Sequence, residues 1–396
     1  MELYLQMGHG MQSMSKELIS QWGAGHIIIS PVNIKQQSLE KYTKEISALN
    51  GKLYFDPQIF YPHDANTKLK EYDYWPQGSL SDTSTLSLIH QELLELNNKI
   101  ETEAIILPSY KMDETTFYKV LKQLSDGASF FRAKTQKKLF ATLCIASETI
   151  RNQEFIENIL DTVTKLDVDG FYVIAQPSNG EYINTDTLWE MGFLKLVACL
   201  KLSQKKVIVG YSSHQTLVTS ILKVDGIASG TYMNTRSFSP EKFQSYSDDD
   251  TKRKSTWYYL PEAMNEYKAT ILDIAKQRGF LGEFAPQGDL KNEYSAMLFS
   301  GAMPSSTSYK ERESFMHYLT CLKKQCDTLT QKSYQDTFNA YDFMLNIAER
   351  KIKTLKAKGI RGQNRDFEPG IEANRIAMFA INEDYGFKLR MEWENL

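Results

Sequence analysis

Cysteine and long apolar runs are both scarce in this sequence, and each scarcity excludes a class of protein. No two cysteines have the CxxC spacing of a zinc site, and the 396 residues contain only four: Cys144, Cys199, Cys321 and Cys326. Such scattered cysteines cannot form the disulfide framework of a small secreted protein. No apolar run approaches the roughly 20 residues that span a bilayer, and the amino-terminal residues lack a basic start followed by an apolar stretch. We therefore predict a cytoplasmic protein with reduced thiols and no membrane partner.

The net charge is also small. The chain has 46 Lys and Arg against 49 Asp and Glu, a formal charge of −3. Attraction to nucleic acid must therefore come from local basic patches rather than from the whole chain. With 42% hydrophobic and 24% charged residues, the composition excludes disorder and is typical of a globular protein.

Short β-branched and apolar runs alternate with longer segments of helical periodicity, the pattern of β-α units around a parallel sheet. Eight such runs are present: Leu3–Met7, His26–Ser30, Leu53–Phe55, Ala104–Leu107, Leu139–Cys144, Gly170–Ala175, Lys206–Gly210 and Gly226–Ala228. A (β/α)8 barrel takes roughly 250 residues. The predicted fold class is therefore α/β, with a (β/α)8 TIM barrel over residues 1–240 and a helical C-terminal region over 241–396.

Two further segments have their own predictions. The irregular stretch Tyr61–Leu86 begins an insertion at about residues 61–100, which we expect to be a surface excursion able to cover the barrel mouth. Helical spacing of apolar residues predicts helices over Pro261–Arg278, Tyr309–Leu329 and Tyr334–Lys358.

Chemistry in such a barrel lies at the C-terminal ends of the strands. The residues that follow the runs are mostly polar and uncharged, which suits a neutral, hydrogen-bonding ligand such as a nucleobase. Asp56 is the only obvious acid–base group among them. Others with side chains able to bind a base are His9, Gln176, His214 and Ser229.

The order of motifs resembles the tRNA-guanine transglycosylase superfamily, including its relatives that insert 7-deazaguanines into DNA. The likeness runs through most of residues 1–240. It rests on the segments GAGHIIIS (23–30), FDPQIF (55–60), LFATLC (139–144), DGFYV (169–173), VGYS (209–212) and VDGIAS (224–229), with Thr235 and Arg236 beyond.

The resemblance implies roles for particular residues. Asp56 occupies the place of the family's base-binding acid, Phe60 that of its stacking phenylalanine, and Cys144 that of a base-reading glutamine. Ser229 stands where the family has an aspartate that attacks the sugar C1′ and holds a covalent intermediate. Serine is a poor nucleophile without an adjacent base, and Asp225 lies about 13 Å away along the strand.

No metal and no cofactor is predicted. The family's zinc-binding module is missing, and His317, Cys321 and Cys326 match no standard zinc spacing. His9 and His214 could join Asp56 as ligands, but the first strand lacks the HxH of the known barrel hydrolases. Both histidines are instead expected to donate hydrogen bonds to a ligand or a loop.

Two basic stretches are candidate phosphate contacts. One contains Arg350, Lys351 and Lys353 on a predicted helix, where the alternative is a solvated helix face. The other contains Arg236, Lys252, Arg253 and Lys254, with the acidic residues 248–250 beside it.

Three hypotheses follow. The first is a pentosyltransferase that exchanges guanine or a 7-deazaguanine at an N-glycosidic bond in tRNA or DNA, with Asp56 and Ser229 as its candidate catalytic residues. The second is a non-catalytic barrel that binds nucleic acid or a partner protein, and the third is an unrelated TIM-barrel enzyme acting on a small metabolite. The base, the choice between DNA and RNA, and a homodimer against a monomer stay open.

Overall fold

Eight parallel strands form a nearly closed barrel in the computed structural model, which describes residues 1–61, 67–76, 78, 82–240, 243 and 255–396. The strands hydrogen-bond in the order β3-β2-β1-β8-β7-β6-β5-β4. Across the remaining seam, the Glu103 N–H donates to the Leu53 carbonyl at 2.9 Å. The strands are β1 Glu2–Gln6, β2 Gly25–Ile29, β3 Gly51–Phe55, β4 Ala104–Leu107, β5 Lys138–Ile145, β6 Gly170–Ala175, β7 Lys206–Val209 and β8 Gly226–Ser229. All eight predicted runs are strands, so the predicted TIM barrel is confirmed.

Helices cover the outside of the barrel and make up most of the C-terminal region. A 3-10 helix, His214–Leu222, replaces an α-helix between β7 and β8. None of the described helices has both the length and the apolarity needed to cross a membrane. The α-helices that the described ranges contain in full are, in chain order, α1 Met11–Trp22, α2 Gln36–Ser47, α3 Thr83–Lys99, α4 Phe117–Arg132, α5 Ser147–Arg151, α6 Gln153–Val163, α7 Thr187–Leu202, α8 Ala269–Gln277, α9 Glu293–Ala296, α10 Glu311–Leu329, α11 Tyr334–Ala357 and α12 Glu368–Glu392.

The predicted helix over Pro261–Arg278 is wrong in its first half. A two-stranded antiparallel hairpin occupies that place, because Pro261 begins a short 3-10 turn and Met264 has a φ of 47°. A left-handed residue of this kind ends a helix rather than continuing one, and the aromatic residues on both sides favour strands. The hairpin strands are β9 Trp257–Leu260 and β10 Asn265–Lys268.

Along each barrel strand, successive side chains point alternately into the barrel and out to the helices. On β1, Leu3 and Leu5 pack outward in the core beneath the helices, whereas Tyr4 belongs to the aromatic cluster inside the barrel. On β8, Ile227 packs outward and Ala228 inward, so the next residue, Ser229, faces the helical layer.

One hydrophobic core joins the barrel to the C-terminal region. Leu3 and Leu18 of the barrel belong to the same buried cluster as Leu319 of α10 and Leu345 of α11. Helix α12 packs along α7, and α10 packs against β1. Part of the insertion packs into the same core: Leu69, Tyr72, Tyr74 and Trp75 are buried, and Tyr72 donates a hydrogen bond of 2.6 Å to the Ile34 carbonyl.

Gly210, directly after β7, leaves room for the ring of Tyr172 inside the barrel. A Cβ atom at position 210 would lie 2.6 Å from the Tyr172 hydroxyl oxygen and 2.6 Å from a ring carbon. The ring is fully buried on β6 and cannot move aside freely.

We therefore expect Gly210→Ala to destabilise the fold by about 1–3 kcal/mol through overpacking. Urea unfolding followed by circular dichroism measures this. Gly282→Ala is the matched control, because a Cβ atom there meets nothing within 4 Å. Equal unfolding midpoints for the two variants would contradict the close packing of Tyr172.

Candidate active site at the barrel mouth

Asp56 lies inside the barrel, directly after β3. Strand alternation turns it to the same side as Tyr54, and it is completely buried. Its carboxyl group accepts three hydrogen bonds: from the Tyr211 hydroxyl to Oδ2 at 3.0 Å, from the Tyr172 hydroxyl to Oδ2 at 3.4 Å, and from the Gln58 N–H to Oδ1 at 3.0 Å. Strand ends from opposite sides of the barrel therefore converge on this one carboxyl group.

Burial raises the pKa of Asp56 to about 7, against the three hydrogen bonds, which lower it. Loss of water around the carboxylate is the dominant cause, because the described structure pairs no cation with this group. A carboxyl group with such a pKa holds a proton on about half of the molecules at neutral pH. It can therefore give or accept a proton, which is the property required of a general acid or base.

The two residues that hydrogen-bond to Asp56 from loops, Gln58 and Tyr211, both have a strained backbone conformation. Gln58 has a φ of 53° and Tyr211 a φ of 51°, both in the left-handed region. The Gln58 amide donates to the Tyr211 hydroxyl at 2.9 Å. Non-glycine residues adopt this conformation at a cost of about 1–3 kcal/mol, and such strain is concentrated at functional sites.

A second chain of hydrogen bonds fixes Tyr172. Its hydroxyl lies 2.9 Å from Gln6 Oε1, and the Gln6 amide donates to the Ser30 hydroxyl at 3.0 Å. The predicted base-reading residue Cys144 lies in the same interior cluster. Burial and the nearby Asp56 raise the pKa of its thiol, so it is not a reactive thiolate.

Aromatic rings pack around Tyr211, the residue that donates to Asp56. Phe60, predicted to stack on a base, packs edge-on against Tyr211, Phe238 and Phe243, with ring centroids 6.2, 5.4 and 5.0 Å away. Phe238 and Phe243 stack on each other at 5.5 Å. These four rings belong to the interior cluster that also contains Tyr172, and one of them, Tyr211, hydrogen-bonds to Asp56.

Ser229 lies apart from Asp56. It is fully buried on the outer face of β8, beside the phenol of Tyr318 from α10. No carboxylate or imidazole of the described residues hydrogen-bonds to its hydroxyl. Asp225 accepts from Lys201 at 2.9 Å and from the Val207 N–H at 2.8 Å before the start of β8, at the opposite end of the barrel.

The predicted base-binding residues other than Phe60 and Cys144 are dispersed. His214 is buried among the rings of Tyr259, Phe367 and others, and neither of its ring nitrogens has a hydrogen-bond partner in the described structure. Burial lowers its pKa to about 4. His9 is exposed in the loop after β1, and Gln176 leaves its side-chain oxygen buried without a partner.

Within the described residues, no three His, Cys, Asp or Glu side chains are grouped as metal ligands. His317 uses both ring nitrogens in the protein, at 2.7 Å from the Tyr259 carbonyl and 3.1 Å from Asn292 Oδ1. Cys321 is its buried neighbour, with the sulfur 3.7 Å from His317 Nδ1.

Arg236, predicted to contact phosphate, is buried in an ion cluster that joins the barrel to the hairpin. Its guanidinium stacks 3.5 Å over the Tyr318 ring and lies 3.4 Å from Glu266 Oε2. Arg365 pairs with the same oxygen at 2.5 Å, and the Tyr182 hydroxyl donates to Oε1 at 2.8 Å. Burial alone would raise the pKa of Glu266, but Arg365 and Arg236 lower it to about 2.

Replacing Glu266 by glutamine should leave two buried guanidinium groups without their shared counter-charge. We expect a loss of about 3–5 kcal/mol in the free energy of unfolding, the range for breaking a buried pair. Urea unfolding at pH 7 measures it. Glu283→Gln, which removes a more exposed carboxylate bound by Lys351 and Lys358, should cost under about 1 kcal/mol. A loss of similar size for both variants would refute the role of Glu266.

The basic stretch of α11 is largely paired with acids. Lys351 lies 2.8 Å from Glu283, and Lys353 lies 2.5 Å from Glu349. Arg350 is exposed. The other predicted phosphate contacts, Lys252, Arg253 and Lys254, lie outside the described residues.

Sequence reasoning missed Glu190, a second buried carboxyl group near the mouth. It lies in the first turn of α7, a helix that is apolar on almost every side, and burial raises its pKa to about 7. The signal that could have indicated it is a single acidic residue within a largely apolar helix. Glu190 lies in a helix and not at the end of a strand, where the chemistry of a barrel is expected.

The pKa of Asp56 predicts a specific pH dependence of stability. The proton that it holds in the folded protein stabilises the fold below the ordinary carboxyl pKa of about 4, and this contribution is lost as the pH rises through about 7. Asparagine does not titrate, so the Asp56→Asn variant does not lose this stability as the pH rises. Between pH 5 and pH 8, its stability relative to wild type should improve by about 2.5 kcal/mol.

Urea unfolding at pH 5, 6, 7 and 8 measures this difference. Asp161→Asn, on the exposed face of α6, is the control and should follow wild type at each pH. A constant difference between Asp56→Asn and wild type would show that Asp56 titrates normally.

The chemistry that this site can perform is proton transfer by a buried carboxyl group that titrates near neutral pH and lies beside aromatic rings. No protein-family model matches the chain, and a search of curated proteins finds no matching sequence. Function is therefore inferred from the fold and from the geometry around Asp56.

Proposed function

We propose that this protein acts on a nucleobase at its N-glycosidic bond, exchanging a guanine-type base within tRNA or DNA, with Asp56 as the acid–base group. The observation that carries the proposal is the carboxyl group of Asp56, buried at the C-terminal end of β3 with a pKa of about 7. It stands where the resembled superfamily has its base-binding acid.

In the proposed reaction, the protonated Asp56 donates to the departing base. The C1′–N bond breaks, its electron pair stays on the base nitrogen, and the proton from Asp56 neutralises the base. The incoming base bonds to C1′ through its own nitrogen and returns a proton to the Asp56 carboxylate. Tyr172 and Tyr211, which both contact Oδ2, stabilise the carboxylate between the two steps.

The rings of Phe60, Phe238 and Phe243 support a planar ligand. They pack on one another and on Tyr211, which donates to Asp56, and a base inserted among them gains flat aromatic surfaces on which to stack. A polynucleotide substrate must present a single strand or an extruded base, since a base inside a duplex cannot enter the barrel mouth.

A non-catalytic barrel that binds nucleic acid or a partner protein is the second candidate. The position of Ser229 favours it, because this hydroxyl lies on the outer face of β8 without a base to activate it. The exchange reaction therefore has no covalent nucleophile at the family's position and depends on Asp56 alone.

The deciding experiment incubates wild type, Asp56→Asn and Asp161→Asn with radiolabelled guanine or a 7-deazaguanine and with tRNA, single-stranded DNA or duplex DNA. We expect wild type and Asp161→Asn to incorporate label, and Asp56→Asn to lose at least about 100-fold in rate. Filter counting of polymer-bound label measures it.

The second candidate makes the opposite prediction for the same samples. No incorporation by wild type, with binding of a polynucleotide that weakens as salt rises, would refute exchange and support the binding barrel. Equal incorporation by wild type and Asp56→Asn would refute the acid–base role of Asp56.

A further inference from the structure

A pocket lies between the C-terminal ends of β6 and β7 and the start of α7. It has a volume of about 480 Å³, counting the solvent-filled space at its opening. Polar and aromatic side chains both line it, and the aromatic ones are Tyr182, Trp189, Phe193, Tyr211 and Phe238. One acidic side chain, Glu190, also lines it.

Glu190 is only 2% exposed, and the hydrogen bonds from described residues reach just one of its two carboxyl oxygens. Asn184 Nδ2 and Gln215 Nε2 both donate to Oε1, each at 3.0 Å. No described residue donates a hydrogen bond to Oε2, and no described cation pairs with the carboxyl group. Burial disfavours the charged form and raises the pKa of Glu190 to about 7, although the hydrogen bond from Asn184 lowers it.

The charged and titratable groups around Glu190 are engaged elsewhere. Asp186 precedes α7 and pairs with Arg151 at 3.0 Å, and its own charge further raises the pKa of Glu190. Arg236 lines the same pocket but is bound to Glu266. Tyr341 of α11 is hydrogen-bonded to Asn374 at 2.6 Å.

A purely structural role would not require the charge of Glu190. The side-chain oxygen of a glutamine could accept from Asn184 and Gln215 equally well. What the carboxylate adds is negative charge and a second acceptor, in a pocket lined by aromatic side chains of the kind that attract cations.

We propose that this pocket binds an organic cation, whose ammonium or amidinium group donates hydrogen bonds to Oε2 of Glu190 between the aromatic side chains of Tyr182 and Trp189. The site is separate from the carboxyl group of Asp56 and does not depend on base exchange. A positively charged N–H donor satisfies both unmet requirements of Glu190, its counter-charge and its free acceptor.

Calorimetric titration with benzylammonium and with benzamidinium, using neutral benzyl alcohol as the comparator, tests the proposal. At pH 8 we expect wild type to bind both cations and to bind benzyl alcohol at least tenfold more weakly. Glu190→Gln should lose at least tenfold in affinity for the cations. Glu154→Gln, on the exposed surface of α6, is the matched control and should bind as wild type does.

The pH dependence of wild type alone gives an independent readout. Because the carboxylate form binds the cation, affinity should fall by about tenfold for each pH unit below about 7. Circular dichroism confirms that Glu190→Gln is folded. Equal affinity for benzylammonium and benzyl alcohol, no binding of either cation, or undiminished binding by Glu190→Gln would each overturn the proposal.

Discussion

The alternation of side chains along the barrel strands decides which residues can meet at the mouth. In a closed parallel barrel each strand sends every second residue inward, so the interior collects one set of side chains and the helical layer the other. Asp56, Tyr172 and Gln6 come from three strands and meet because all three fall in the inward register. Ser229 falls in the outward register and is separated from them, although it ends a neighbouring strand.

The C-terminal region packs against the segments that follow β7 and β8 at the barrel mouth. The hairpin supplies Glu266, which lies between Arg236 from the β8 loop and Arg365 from the segment before α12. Gln215, after β7, donates to Asn374 Oδ1 of α12 at 3.0 Å. Buried polar groups must be paired, so these contacts fix the C-terminal helices over the strand ends.

Much of the fold was predictable from the sequence because the patterns that indicate its strands and helices lie within short stretches of the chain. The eight strands were visible as short apolar runs, and the helices over Glu311–Leu329 and Tyr334–Ala357 as apolar periodicity. The hairpin before α8 was not, since its aromatic residues fit a helix as well as a strand until the turn at Met264 is known. Of the site, the sequence could indicate Asp56 but not its partners, because Tyr172 and Tyr211 lie 116 and 155 residues away in the chain.

Tyr211 belongs to both sites at once. Its hydroxyl donates to Asp56, while the same residue forms part of the wall of the pocket that contains Glu190. A ligand that displaces this ring also removes a hydrogen bond that favours the ionised form of Asp56, and the carboxyl group then takes up a proton. By thermodynamic reciprocity, ionisation of Asp56 resists the same displacement. Displacement of the Tyr211 ring and protonation of Asp56 are therefore coupled through one phenol.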